Sequence, residues 1–451
     1  MNSTFSSLRD VESDDEDDNK VTVQLQSLRS NTSGPTLNDF ADNDVVKESR
    51  ERQLVPLMPI GRLAYLKAAS KEIFFGTRMN ILMVFGPVAI VSSWLQVSEG
   101  VILVSSLLAL CPFAERISFV TEDLAKYTND TVGGLLNATF GNITEVIVCI
   151  FALKAGLIRV VQVSMLGSVL SNLLLVLGCA FLVGGIKYPE QKFNATAAIT
   201  NSGMLLLSLC ALSLPTVLSS THTGADGLVN RTAQVGPERG KAPLGLSRFI
   251  SFLMLLMYGA YIFFQMVTHK SLFEGQEDDE EDDDEPILGF FGGIGWLGVL
   301  TLIISVLSDL IVDAIDGAAN DLKLPYLFIG TILIPIVGNA AEHAAAVIFA
   351  HKNKMEIAMG IAVGSAVQIS LFVIPLCVII GWGMDVPMDL DFHPMETVSV
   401  LLTTLTVSFM IQDGKSTWLK GVLLIAMYIV VAASFWSHSD PRTELERVGG
   451  V

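Results

Sequence analysis

Eleven mostly apolar stretches, each close to the roughly 20 residues a bilayer core requires, constrain this chain more than any other feature. They fall at about 79–97, 100–125, 132–153, 160–184, 195–218, 247–268, 287–312, 326–350, 355–382, 395–412 and 416–437. In lipid every backbone N–H and C=O must find its partner inside the chain, so spans of this length have to be helices. The expected fold class is therefore an all-α polytopic membrane protein. Composition fits: 51% of residues are hydrophobic and 16% charged, with mean hydropathy +0.55. A net charge of −18 would suit a soluble acidic surface, but much of the acid sits in two runs, Ser13 to Asp18 and Glu277 to Glu285. The excess belongs to tails and loops. Cys111, Cys149, Cys179, Cys210 and Cys377 lie in or beside apolar stretches, without the spacing of a zinc site or a disulfide framework.

In chain order, residues 1–60 are rich in Ser, Asp, Asn and Thr and read as a disordered cytosolic tail. Residues 61–98 form an amphipathic leader and a first span. Arg62, Lys67, Lys71 and Arg78 alternate there with Leu63, Tyr65, Leu66, Ile73, Phe74 and Phe75, which suits a membrane surface or a solvated leader. A polar loop at 219–243, an acidic cytosolic loop at 271–286 and a C-terminal tail at 439–451 complete the extramembrane parts. The distribution of Lys and Arg at span ends favours a cytosolic N-terminus, with Lys154 and Arg159 as exceptions. The sequon Asn230-Arg231-Thr232 then faces the lumen, and glycosylation mapping that places it in the cytosol would reverse the topology.

Two apolar segments carry the same costly insertion. Gly141-Asn142-Ile143-Thr144-Glu145 and Gly338-Asn339-Ala340-Ala341-Glu342 each set a Gly-Asn pair three residues before a glutamate. A carboxylate at mid-membrane costs about 2.5–3.5 kcal/mol on insertion scales and is a functional signal by default. Subtracting 141 from 338 gives an offset of 197, which also maps Gly167-Ser168 onto Gly364-Ser365 and Ser171 onto Gln368. Glu115 and Glu122 are seven apart, as are Asp309 and Asp316, so each pair shares a helix face. The chain thus divides into halves, 99–270 and 287–438, of five spans each. An odd number of spans separates equivalent positions, so the halves are inverted repeats around a midplane site. Gly133-Gly134 and Gly141, and Pro335 and Gly338, mark where the motif helices should break and free backbone carbonyls.

A hard cation would suit freed carbonyls beside carboxylates: calcium takes about 6–8 oxygens, of which two glutamates supply at most about four. The candidate ligand set is Glu145, Glu342, Asn142, Asn339, Gly141, Gly338, Ser168, Ser365 and Gln368. His343, Glu115, Glu122, Asp309, Asp313 and Asp316 are candidates for a proton relay or ion pathway. Each has a structural alternative. The asparagines can serve as interhelical glue, the Gly-Ser pairs can simply permit close helix approach, His343 can be a satisfied core histidine, and acids near span ends can mark the interface. No phosphate-binding loop and no nucleophile–base pair is evident among these residues, so an enzyme is not expected, nor a cofactor beyond transported ions.

These motifs, together with Gly167-Ser-Val-Leu-Ser-Asn172 and Gly364-Ser-Ala-Val-Gln-Ile-Ser370, resemble those of the vacuolar calcium/proton exchangers, the cation/proton exchanger branch of the calcium/cation antiporter superfamily. The similarity runs from about residue 61 to 437 and includes the acidic loop and a first span outside the repeats. It implies an antiporter of an acidic organelle, such as the vacuole, that exchanges cytosolic Ca2+ for lumenal H+. Glu145 and Glu342 would be the shared ligands, holding cation or protons but not both. The sodium-coupled branch typically carries Gly-Thr-Ser-x-Pro-Glu where this chain has Gly-Asn-x-x-Glu, which disfavours sodium coupling; that exchanger and a cation channel are the rival readings. Membrane lipid is an expected partner and nucleic acid is not. Homo-oligomer formation and restraint by the N-terminal tail, seen in some plant members, stay open.

Overall fold

The structure, a computed structural model, describes residues 62–128, 132–133, 136, 139–224, 241–272 and 286–438. The tail expected at 1–60, the sequon, the core of the polar loop, Gly134, the acidic run and the C-terminal tail at 439–451 lie outside the described residues. The elements are almost wholly helical. They are α1 Arg62–Phe75, α2 Phe85–Trp94, α3 Glu99–Ala125, α4 Ile143–Lys154, α5 Ile158–Lys187, α6 Ala195–Gly224 and α7 Lys241–Phe263. The second half supplies α8 Phe290–Asp321, α9 Tyr326–Gly338, α10 Ala340–His351, α11 Met355–Gly383, α12 Pro394–Ile411 and α13 Trp418–Ser437.

Among the described residues, eight helices are long and apolar enough to cross a membrane, or up to ten if each of two bent pairs counts as one span. One bent pair is the entry to the bundle, where the 69–75 end of α1 meets residues 78–94 at 87°. The leader therefore turns sharply at the start of the first expected span. The other is α9 and α10, bent by 54° at Asn339. The third expected span, 132–153, is represented by α4 with a partly described approach.

Burial sorts the helices into layers. The apolar windows of α3, α5 and α11 are 78, 72 and 67% buried, against 28–39% for α6, α7, α8, α12 and α13. The sequence of α5 fits this, since it carries Arg159, Gln162, Ser164, Ser168, Ser171 and Asn172, all buried, and polar side chains are costly against lipid. The halves of the repeat thus place their Gly-Ser segments, on α5 and α11, in the centre of the bundle.

Helices α3 and α8 are repeat mates and run antiparallel, and each carries a carboxylate that binds backbone at the start of, or just ahead of, the other. Asp321, at the end of α8, accepts from Ser98 Oγ at 2.7 Å and from the Gly100 N–H at 3.2 Å, at the start of α3. Asp123, near the end of α3, accepts the N–H groups of Ile287 and Leu288 at 2.8 and 2.9 Å, just ahead of α8. A helix start leaves four N–H groups without intrahelical partners; Asp321 meets one of these at α3, whereas Asp123 holds the extended approach to α8, ahead of its first turn. Asp123 is 3% exposed. Its replacement by Ala should cost about 1–3 kcal/mol, the scale for stranding buried donors, and should lower the thermal unfolding midpoint in detergent more than Asp321→Ala does.

At the other connectors, a two-residue strand β1 (Gln191–Lys192) pairs antiparallel with β2 (Lys415–Ser416). Gln191 Nε2 also donates to the Ala350 carbonyl at 2.9 Å, tying the end of α5 to the end of α10. The opposite end of α5 is held by charge. Arg159 forms an ion pair with Glu396 at the start of α12, and donates to Gln162 Oε1 at 2.8 Å. Gln162 in turn donates to Asp389 Oδ1 at 2.9 Å. Arg159 is only 4% exposed, so this exception to the charge bias is a buried side chain neutralised by the second repeat and not a free loop charge.

Candidate functional site

Each motif builds the start of a short helix. Asn142 precedes α4 with φ −108°, ψ 20°, and Asn339 precedes α10 with φ −88°, ψ 19°. The matched backbone puts Glu145 and Glu342 at the third residue of their helices. There the N-terminal end of the helix dipole, equivalent to roughly half a positive charge, favours a carboxylate and offsets part of its desolvation.

The break expected from Pro335 and Gly338 falls where Gly338 ends one helix piece and the chain turns at Asn339. Pro335 is accommodated in the first turn of the segment Ile334–Gly338, which follows a π-helical stretch at Ile329–Leu333. A proline lacks the N–H that would bind the carbonyl four residues earlier, here that of Thr331. That carbonyl faces Gly167 of α5, where an added Cβ would collide with it and would lie 2.6 Å from Pro335 Cγ. Gly167 is thus a close-approach glycine, joining the first repeat to the second.

The two halves meet at the motifs themselves. Glu145 Oε1 lies 3.3 Å from where a Cβ on Gly338 would stand, so the first repeat's glutamate packs against the second repeat's motif glycine. Glu145 and Glu342 are also within electrostatic reach of each other. Asn142 Nδ2 donates to Gln368 Oε1 at 2.6 Å, and Ser365 Oγ donates to Asn142 Oδ1 at 3.4 Å. In the reverse direction, Asn339 Nδ2 donates to the Ser168 carbonyl at 3.3 Å. The structure therefore gathers Glu145, Glu342, Asn142, Asn339, Gly338, Ser168, Ser365 and Gln368, with Gly141 in the turn before α4.

Several buried oxygens in this cluster have no hydrogen-bond partner: Glu145 Oε1, Glu342 Oε2, Asn339 Oδ1 and Asn172 Oδ1. Stranding a buried acceptor costs about 1–3 kcal/mol, more for a charged group. A set of converging oxygens with that deficit is suited to a hard cation or to protons. Among the described residues no three His, Cys, Asp or Glu side chains converge as a metal cluster. With two carboxylates, the remaining ligands must be neutral oxygens.

The pathway candidates are distributed differently. Glu115 and Glu122 lie in the C-terminal half of α3, and Asp309, Asp313 and Asp316 in the C-terminal half of α8. Since α3 and α8 are antiparallel, the two acidic sets lie toward opposite ends of the pair and do not join one site. Glu115 is ion-paired with its neighbour Arg116, while Glu122 and the three aspartates are exposed. His343 is half-buried beside Glu342.

A family model described as sodium/calcium exchanger protein matches residues 98–267 and 292–437. The chain is 46% identical over 380 residues to vacuolar cation/proton exchanger 3 of Oryza sativa subsp. japonica, covering 82% of this chain and 88% of that one. It belongs to the vacuolar cation/proton exchangers, within the sodium/calcium exchanger family. A second relative, vacuolar cation/proton exchanger 5 of Arabidopsis thaliana, is 46% identical over 383 residues, covering 83% of this chain and 84% of that one. Among solved structures, the selenium-substituted Ca2+/H+ antiporter protein YfkE is 34% identical, with a TM-score of 0.65, covering 79% of this chain and 98% of that one.

Three features of this family member escaped the sequence reading. Asn172 donates to Ser365 Oγ at 3.0 Å and so enters the cluster; its place at the end of the Gly-Ser-Val-Leu-Ser-Asn motif was the available signal. The ion pair of Arg159 with Glu396 had a signal too, in a glutamate beginning an apolar span. The paired π-helical stretches at Ser171–Val176 and Ile369–Val373, at matching places in the two repeats, had none. Such stretches recur at functional sites.

Proposed function

We propose that this protein is a secondary active antiporter that moves a divalent cation, calcium foremost, out of the cytosol in exchange for protons from the lumen of the vacuole. The observation that carries this reading is the pair of glutamates, one from each inverted repeat, set at matched helix starts with a carboxylate oxygen of each left unpartnered. The names of the relatives, vacuolar cation/proton exchangers and a Ca2+/H+ antiporter protein, support the ions and the compartment.

Charge balance supplies the mechanism. Two carboxylates in a low-dielectric cavity repel one another and are poorly solvated, so an empty site holds protons. A divalent cation neutralises both and displaces them. Occupancy by one or the other, but not both, couples the two fluxes without ATP. Alternating access follows from rearranging the two repeats about a fixed site, with residues 99–270 and 287–438 as the halves. Glu145 is buried whereas Glu342 and His343 are half-buried on α10. With the N-terminus cytosolic, α3 and α10 end on the cytosolic side and α8 on the lumenal side. Glu115 and Glu122 then belong to the cytosolic approach, and Asp309, Asp313 and Asp316 to the lumenal one.

The test is calcium-45 uptake into vesicles carrying the full-length protein, with an acid-inside pH gradient or, in its place, a sodium gradient. Uptake should follow the pH gradient. Uptake driven equally by sodium would favour the sodium-coupled reading, and flux without either gradient would favour a channel.

A further inference from the structure

We infer that the two motif asparagines have different jobs: Asn339 presents its carboxamide oxygen to the cation, whereas Asn142 is a positioning residue that ties the start of α4 to the second repeat. This rests on the cation reading above and divides the labour within it.

By sequence the two are equivalent, lying 197 residues apart at the same place in the repeat, and their backbone conformations match closely. Each also accepts the N–H four residues on through its own carbonyl: Asn142 from Val146 at 3.2 Å, Asn339 from His343 at 2.9 Å. The side chains differ completely. Asn142 has both ends committed. It is the third member of a relay in which Asn172 donates to Ser365 at 3.0 Å, Ser365 donates to Asn142 at 3.4 Å, and Asn142 donates to Gln368 at 2.6 Å. These four side chains come alternately from the first and second repeats, so the relay is a stitch across the interface. Asn339 makes a single bond, through its nitrogen to the Ser168 carbonyl, and its oxygen has no partner although the residue is 1% exposed.

Part of the cause is in the sequence. The mate of Gln368 is Ser171, whose side chain is too short to serve as Gln368 does, and the mate of Asn172 is Ile369, which cannot donate a hydrogen bond. The relay around Asn142 has no counterpart at Asn339, where Ser168, the mate of Ser365, meets the asparagine's nitrogen through its carbonyl and leaves the oxygen without a partner. A buried amide oxygen without a donor is unfavourable unless something else meets it. Beside two carboxylates, a hard cation is the ligand whose chemistry does so. Asn142 has no such vacancy. What it fixes is the helix start three residues ahead of Glu145.

The experiment compares Asn339→Leu, Asn142→Leu and Gln368→Leu in full-length protein, measuring equilibrium calcium-45 binding in detergent and pH-driven uptake at saturating calcium. Asn339→Leu should weaken calcium binding by about tenfold or more, the scale of one lost contact to a charge. Asn339→Asp, which keeps an oxygen in place, should bind at least as tightly as the native protein. Asn142→Leu should keep its calcium affinity within about threefold while the maximal uptake rate drops by about tenfold, and Gln368→Leu, which removes only the other end of the stitch, should do the same. Equal weakening of binding in Asn142→Leu and Asn339→Leu, or unchanged affinity in Asn339→Leu, overturns the inference. Failure of the native protein to bind calcium overturns the cation reading itself, so the two failures are separable.

Discussion

Glu145→Gln and Glu342→Gln are each expected to reduce proton-driven calcium uptake to the background of empty vesicles. Glutamine keeps the size of the side chain, so the packing of residue 145 against Gly338 should survive and folding should be little affected. What disappears is charge. At an effective dielectric constant near 20, two unit charges 4 Å apart interact by about 4 kcal/mol, and a divalent ion roughly doubles that. Against about 1.4 kcal/mol per tenfold in affinity, losing one carboxylate removes useful calcium binding. A glutamine also cannot take up or release the exchanged proton, so the same change eliminates both half-reactions. Native-like unfolding midpoints with no uptake would support the assignment. Near-normal uptake in both variants would sink it, whatever the relatives do.

The largest effect on stability is expected from the Arg159–Glu396 pair. Both side chains are almost wholly sequestered, at 4 and 1% exposure, and Glu396 also accepts the His393 N–H at 3.1 Å as it begins α12. Removing one partner leaves the other charge uncompensated, which typically costs about 3–5 kcal/mol. Arg159→Ala should therefore lower the unfolding midpoint sharply and reduce the amount of folded protein in the membrane. The double replacement Arg159→Met with Glu396→Leu removes both charges and should recover most of the loss, because well-packed apolar residues can substitute for a buried ion pair at little cost. A double variant as unstable as Arg159→Ala would mean that the pair matters for something other than its charges.

The outcome separates what a single sequence can carry from what it cannot. Span positions were legible because membrane helices depend on local composition, and every expected span has a helix at its place, with the third only partly described. The motif asparagines and glutamates were legible because polar groups are expensive in apolar stretches. Of the two residues expected to mark the break, Gly338 ends the helix, whereas Pro335 sits in the first turn of its segment, where a proline costs little and follows a π-helical stretch. What was not legible is the partner of each group in the Asp123 and Asp321 contacts, the Arg159–Glu396 pair and the Asn172–Ser365–Asn142–Gln368 relay. Each joins residues between 164 and 237 positions apart, and side-chain spacing along one helix says nothing about a partner in the other repeat. The inequality of Asn142 and Asn339 is of the same kind, since it is decided by what stands opposite each.

The carboxylate contacts exchanged by α3 and α8 also set a timetable for synthesis. The bond from the Gly100 N–H to Asp321 spans 221 residues, so α3 enters the membrane long before its cap exists. At chain growth of about 5–20 residues per second, that interval is roughly 10–45 s. Asp123, by contrast, is already in place when Ile287 and Leu288 emerge 164 and 165 residues later. The first repeat must wait with an unfinished helix end, while the approach to α8 meets its partner as it arrives.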